Sequence, residues 1–269
     1  FGKYKFLYVS PERLETEIFL ARAEKFNVNL IAVDEAHCIS EWGYDFRPSY
    51  LKIANIRKFY PKTPFLALTA TATNQVHVDI QETLEFNEKN VFRNSFESAN
   101  LISACLRTES KNNKLTEVLN KTPGTGIVYV RTRKHAREVA GFLVNNGIQA
   151  DYYHAGLNAE KRNQKQENWM FDKTRIIVST NAFGMGIDKG NVRSVIHYDL
   201  PDSLEAYYQE AGRAGRDLKR SFAIALVQEQ DKDTLLERVN RNFPKISEIR
   251  KVYKSLGNYF QLPIGAGKN

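Results

Sequence analysis

The chain has 269 residues, 42% of them apolar and 26% charged, which are the proportions of a soluble globular chain with room for two domains. Its 39 basic and 31 acidic side chains leave a formal charge of +8. No run has the length and apolarity of a membrane span, the first residues do not read as a signal peptide, and two cysteines exclude a disulfide framework or a four-thiolate zinc site. The charge is uneven. Residues 1–108 carry 13 basic and 13 acidic side chains, residues 109–228 carry 18 and 13, and residues 229–269 carry 8 and 5. A polyanionic partner for the second half is one explanation, and simple solubility charge is the other. An intracellular, cytoplasmic setting is expected, at the nucleoid if the source is bacterial.

Residues 5–9 are strand-like from the outset, so the chain is expected to be a fragment. Strands are predicted at residues 6–9, 30–33, 65–68, 127–130, 152–154, 176–179, 195–198 and 222–227, with helical patterns between several of them, for example at 134–146 and 158–171. This alternation predicts an α/β fold with mainly parallel sheets covered by helices. Polar residues 109–113 suggest a boundary between a lobe at 1–108 and a lobe at 109–228. A tail at 229–269 has helical periodicity, with Ile249, Val252, Tyr253 and Leu256 on one stripe.

Chemistry-bearing residues follow several of these strands. Leu30-Ile31-Ala32-Val33 runs into Asp34-Glu35-Ala36-His37, which places two carboxylates at the carboxyl edge of a parallel sheet, where open α/β sheets bind ligands. Asp34 suits Mg²⁺ held through water, and Glu35 suits orienting or deprotonating a water that attacks a γ-phosphate. Thr69-Ala70-Thr71-Ala72-Thr73 follows the next strand and either couples a nucleotide site to a second ligand or caps a helix. In the segment from Thr180 to Lys189, glycines such as Gly186 allow backbone amides near phosphates, and Asp188 suits a ribose hydroxyl. Arg213 and Arg216, three residues apart among glycines, suit bidentate contact with one anionic target. Alternatively they stand against the dipole at a helix end capped by Gly215. His135 and His197 have no partner at metal spacing and read as structural.

Together these segments resemble the RecQ family of ATP-dependent DNA helicases, in helicase superfamily two, from about Tyr8 to Val227. Asp34-Glu35-Ala36-His37 resembles the family's second motif, a DEAH box, and Thr69-Ala70-Thr71-Ala72 its third. Residues 183–188 resemble the fifth motif and residues 209–217 the sixth. Residues 37–48 resemble the aromatic-rich loop that senses single-stranded DNA and couples it to hydrolysis. The resemblance implies two RecA-like lobes, the first truncated at its N-terminus, using ATP and Mg²⁺ and, in this fragment, no zinc. It implies catalytic roles for Asp34, Glu35, His37, Gln209, Arg213 and Arg216, and nucleotide contacts at Gly186 and Asp188. DNA contact or coupling is implied for Trp42, Tyr44, Phe46, Arg47, Arg131, Arg133, His154 and Thr180. Core packing is the other reading of Trp42 and Phe46, and a solvated turn that of Arg131 and Arg133.

The implied activity is 3′-to-5′ translocation on single-stranded DNA with unwinding at single/double-strand junctions, in recombination and repair. Tyr44 stands where the family commonly has histidine, and Gly190 where proline often follows the lysine. The family's phosphate loop, Gly-x-x-x-x-Gly-Lys-[Ser/Thr], has no counterpart: Gly265-Ala266-Gly267-Lys268-Asn269 fails at Leu262 and at Asn269. These residues alone are therefore expected to hydrolyse ATP poorly, and the first lobe to expose apolar surface. A non-catalytic DNA-binding or adaptor protein on the same scaffold is the alternative.

Overall fold

The computed structural model describes residues 4–41, 45–70, 72–88, 90–93, 98–184 and 187–261. Two units emerge, one of residues up to Ser98 with Ser203–Gly212, the other of Ala99–Asp202 with Arg213 onward.

In the first unit, Thr16 caps α1 (Glu17–Ala23), and β1 (Ile31–Val33) pairs in parallel with β2 (Phe65–Ala67), Val33 opposite Ala67. A parallel pair needs a long crossover. It is made here by 3₁₀ turns at Ala36–Ile39 and Pro48–Lys58. Ala36, Ile39 and Ile53 from these turns pack with Val33 and with Val76 and Ile80 of α2 (Asn74–Thr83) in one buried cluster. The strand alternation points Leu30, Ala32, Leu66 and Leu68 the other way, and all four are exposed. Parallel sheets ordinarily cover both faces, so this is apolar surface of the kind expected. Residues 6–9, expected as a strand, pair with no strand among the described residues. Phe6 and Tyr8 stack on each other at 6.4 Å and stay exposed. The chain should therefore self-associate as its concentration rises, and Leu66→Lys should restore a monomer in sedimentation velocity.

The second unit holds one six-stranded parallel sheet. Its strands are β3 (Leu101–Arg107), β4 (Thr125–Tyr129), β5 (Ala150–Tyr153), β6 (Ile176–Ser179), β7 (Val192–His197) and β8 (Ser221–Val227), in the order β3-β8-β7-β4-β6-β5. The interior strands β4 and β6 are buried along their whole length. Val128 and Val130 face α3 (Lys111–Lys121) and α4 (Arg133–Asn145), meeting Leu115, Leu119 and the α4 stripe of Ala136, Val139, Ala140 and Leu143. Ile127 and Tyr129 point to the opposite face, where Trp169 of α5 (Ala159–Met170) and Phe183 are buried. The Trp169 indole N–H donates to the Gly126 carbonyl at 3.2 Å, and its ring lies edge-on to Phe183 at 5.1 Å. Trp169→Ala should cost about 3–5 kcal/mol in urea unfolding, with Trp169→Phe recovering most of it.

The division between units falls before β3, ahead of the boundary expected after residue 108. The polar stretch that suggested a linker is instead a helix start, with the Ser110 hydroxyl accepting from the Asn113 N–H at 3.4 Å. Of the remaining helices, α6 (Leu204–Ala211) groups with the first unit, and α7 (Gln230–Asn242) and α8 (Ile246–Tyr259) follow β8. The predicted stripe on α8 forms but stays exposed.

Candidate nucleotide and nucleic-acid sites

Beyond Val33 the backbone turns sharply, and Glu35 adopts the left-handed conformation at φ 50° and ψ 42°, a region few non-glycine residues occupy. Its N–H donates to Asp34 Oδ1 at 2.9 Å. Both carboxylates are exposed at the carboxyl end of the parallel pair. The Ala36 N–H donates to the Leu68 carbonyl at 2.9 Å, tying the chain leaving β1 to the chain leaving β2. His37 is buried, its Nδ1 3.1 Å from Thr69 Oγ1 and 3.4 Å from Glu35 Oε2. Burial lowers the His37 pKa below 6.5 despite the neighbouring Glu35, so the ring is neutral at pH 7. A neutral imidazole thus sits between the second carboxylate and the threonine segment. Within that segment Thr69 meets His37, and the Thr73 hydroxyl caps α2 by accepting from the Val76 N–H at 3.4 Å, which is the helix-capping reading.

This burial has a pH signature. The unfolded chain binds more protons at His37 than the native one, so the first unit should lose stability as pH falls through 6.5. His77, whose pKa is also lowered by burial, acts in the same direction. His37→Asn should flatten the difference between melting curves at pH 7.5 and pH 5.5.

Of the aromatic-rich loop, Trp42 and Tyr44 lie outside the described residues. Phe46 is half-buried and absent from the buried cluster. Arg47 is exposed, and its N–H donates to the Cys38 carbonyl at 2.9 Å, closing the base of the loop. Its guanidinium pairs with Asp45, with Nη2 at 2.5 Å. The Tyr50 hydroxyl donates to the Asp34 carbonyl at 3.3 Å.

In the second unit the segment after β6 and the turn after α6 hold each other. Thr180 is buried, and its carbonyl accepts from the Phe183 N–H at 3.2 Å. Gly184 has φ 139°, and a Cβ there would collide with the Arg213 guanidinium. Arg213 Nη1 donates to the Gly184 carbonyl, while its Nε is buried with no partner among the described residues. An anionic oxygen would satisfy that donor. Arg216 Nη1 donates to the Ile187 carbonyl at 3.1 Å and to Asp188 Oδ1 at 2.9 Å. Asp188, proposed for a ribose hydroxyl, is thus ion-paired to Arg216. Gly186 lies outside the described residues, and Gln209 is half-buried on α6. The helix ends at Ala211 with Gly212 as its cap, so Gly215, at φ 71°, shapes the turn into β8 instead. The Asn100 amide clamps that turn, donating to the carbonyls of Gly215 at 2.8 Å and Lys219 at 2.9 Å.

The exposed oxygens of Asp34 and Glu35 are of the kind Mg²⁺ takes directly or through water. The Arg213 Nε, without a partner among the described residues, suits a phosphate oxygen. These oxygens and this donor would fit Mg²⁺ and a phosphate oxygen respectively.

The residues expected to meet DNA in this unit lie at the carboxyl edge of the sheet. Arg131 follows β4, its N–H donating to Asp199 Oδ2 at 2.8 Å and its guanidinium pairing with Asp202. Arg133 is exposed and lies against Gly156. His154, after β5, is buried with neither ring nitrogen partnered among the described residues. Burial, then Arg137 and Arg133, lower its pKa. Arg137 and Lys165 lie over the Tyr152 ring at 5.3 and 4.0 Å, and that ring stacks on His154 at 5.7 Å. Cationic and aromatic groups therefore gather where β5 ends. His135 Nδ1 lies 3.0 Å from Asp199 Oδ2, a hydrogen bond that raises its pKa.

Sequence reasoning missed Asn100, Asp199, Asp202 and Lys189. Lys189 is buried, Nζ donating to the Met170 carbonyl at 2.7 Å and pairing with Asp172 at 2.9 Å, which anchors the segment after β6. These contacts join residues far apart in the chain and leave no local pattern.

Among the described residues no helix is long and apolar enough to cross a membrane. Residues 1–79 match the DEAD/DEAH box helicase family, and residues 110–217 match the helicase conserved C-terminal domain. The chain is 44% identical over 232 residues to the ATP-dependent DNA helicase RecQ of Bacillus subtilis, covering 86% of this chain and 39% of that protein. It is 40% identical to the RecQ of Pasteurella multocida, covering 86% and 37%. To a probable ATP-dependent DNA helicase, RecS of Bacillus subtilis, it is 42% identical, covering 83% and 46%. The chain thus spans less than half the length of these relatives. A structure of S. cerevisiae Dbp5 bound to RNA and ADP BeF3 matches with a TM-score of 0.64 at 22% identity, covering 91% of this chain and 68% of that one, and shares the fold. Parallel sheets covered by helices are thus the RecA-like fold of helicase domains, and the chain is a stretch of helicase core homologous to the RecQ helicases.

Proposed function

We propose that this stretch serves an intracellular 3′-to-5′ DNA helicase that couples ATP hydrolysis to translocation on single-stranded DNA and to unwinding in recombination and repair. The observation that carries the proposal is the placement of Asp34 and Glu35 at the end of β1, with neutral His37 between Glu35 and Thr69. In this reading the residues before β3 belong to the ATP-binding lobe, β3 through β8 to the C-terminal lobe and 229–269 to the start of a helical accessory segment. Asp34 holds Mg²⁺ through water, and Glu35 takes the proton of the attacking water. Arg213 and Arg216 stabilise charge that develops on phosphate. His37 and Thr69 carry the state of the carboxylate to the threonine segment. Sequence-independent grip on DNA comes from Arg133 and its cationic neighbours, with base stacking from the aromatic-rich loop. Lacking a phosphate-loop sequence, the 269 residues alone hydrolyse ATP poorly, and the adaptor reading rests on that same feature.

The DNA part is tested by anisotropy of a labelled oligothymidylate over a salt series. The logarithm of affinity should fall linearly with the logarithm of salt concentration, and Arg133→Ala should lower the slope by about 0.7, one phosphate contact on a single strand. Absence of binding, or a slope unchanged by Arg133→Ala and Lys165→Ala together, would overturn it.

A further inference from the structure

Resting on the reading that Arg131 meets a nucleic-acid phosphate, we infer that Asp202 is a positioning residue, an acidic latch shared by Arg131 and by Arg238 of α7. Both guanidinium groups reach the same oxygen, Asp202 Oδ1, Arg238 from 3.2 Å. The two arginines are held differently. Arg238 is mostly buried at 18% side-chain exposure, and its Nε donates to the Thr234 carbonyl at 3.3 Å. Arg131 is 34% exposed and lines a cavity together with Thr132, His135, Asp199 and Arg238. Its backbone is fixed by Asp199, so side-chain rotation alone frees its charge.

α7 is itself fastened to the sheet. The buried Lys111 ammonium pairs with Asp231 at 2.8 Å and donates to the Tyr198 carbonyl at 2.7 Å, so Arg238 stays near Asp202. When Arg131 turns to a phosphate, Asp202 keeps a partner. Asp202 is 58% exposed, so the exchange of partners costs no more than a surface ion pair. Asp202 therefore restrains Arg131, and Arg238 weakens the restraint. The loop after β4 and helix α7 are coupled through this one oxygen, which lets the region beyond β8 tune the grip on a strand.

The test is oligothymidylate binding by the whole chain between 50 and 200 mM salt. Asp202→Asn should tighten binding about threefold, the size of a surface ion pair, and steepen the salt slope by about 0.7. Asp202→Glu should restore wild-type behaviour. In an Arg131→Ala background Asp202→Asn should add nothing. Arg238→Met should weaken binding, and Asp202→Asn should abolish that loss. A gain from Asp202→Asn that persists undiminished without Arg131 would reveal a general charge effect and overturn the inference, as would an unchanged affinity in a variant with a wild-type thermal melt. Binding that is intact but indifferent to Asp202 leaves the DNA reading standing, whereas no binding by any variant removes that reading and the inference with it.

Discussion

Glu35→Gln, in this chain preceded by a phosphate-loop segment, is expected to lower ATP turnover by about 10²- to 10⁴-fold while nucleotide binding persists. The side chain sits on a left-handed residue whose N–H is held by Asp34 and whose carboxylate faces His37. Glutamine preserves the size and the hydrogen-bonding reach of the group and removes only its capacity to take a proton. The loss should therefore appear in kcat and not in KM. A loss confined to KM, measured by steady-state hydrolysis, would assign Glu35 to binding instead.

The second large effect is expected at Gly184, a residue with no side chain to contribute. Arg213→Ala should lower turnover by roughly 10³-fold, the scale of an arginine that stabilises phosphoryl transfer. Gly184→Ala should produce a loss of similar size with every charge retained. Its Cβ would occupy the place of the Arg213 guanidinium, and φ 139° is closed to alanine without strain. The strain should also lower stability by about 1–3 kcal/mol, read from chemical unfolding. Full turnover in Gly184→Ala would mean that the position of Arg213 against this segment is not needed for catalysis.

The central strands of the second sheet were legible because burial on both faces makes them continuous apolar runs; 176–179 coincides with β6. The edge strand β3 was not legible as part of that sheet. Its residues are half-buried or exposed throughout, and the polar cap of α3 behind it looks like a linker. Residues 6–9 have strand composition, but pairing is a property of neighbours, and the described residues provide none. The acidic pair was readable because consecutive carboxylates after an apolar strand land at a sheet edge. The pairing of Asp188 with Arg216 and the sharing of Asp202 by two arginines were not. Each depends on side chains at least 28 positions apart that only the fold brings together.

DNA-stimulated ATP hydrolysis, measured on the 269-residue chain alone and on the same chain preceded by the phosphate-loop segment of a RecQ relative, tests the central claim most directly. The carboxylates and arginines described above predict turnover that rises with single-stranded DNA in the joined protein and disappears with Glu35→Gln, with none above background in the chain alone. Stimulated turnover by the chain alone, or turnover in the joined protein that survives Glu35→Gln, would contradict the assignment.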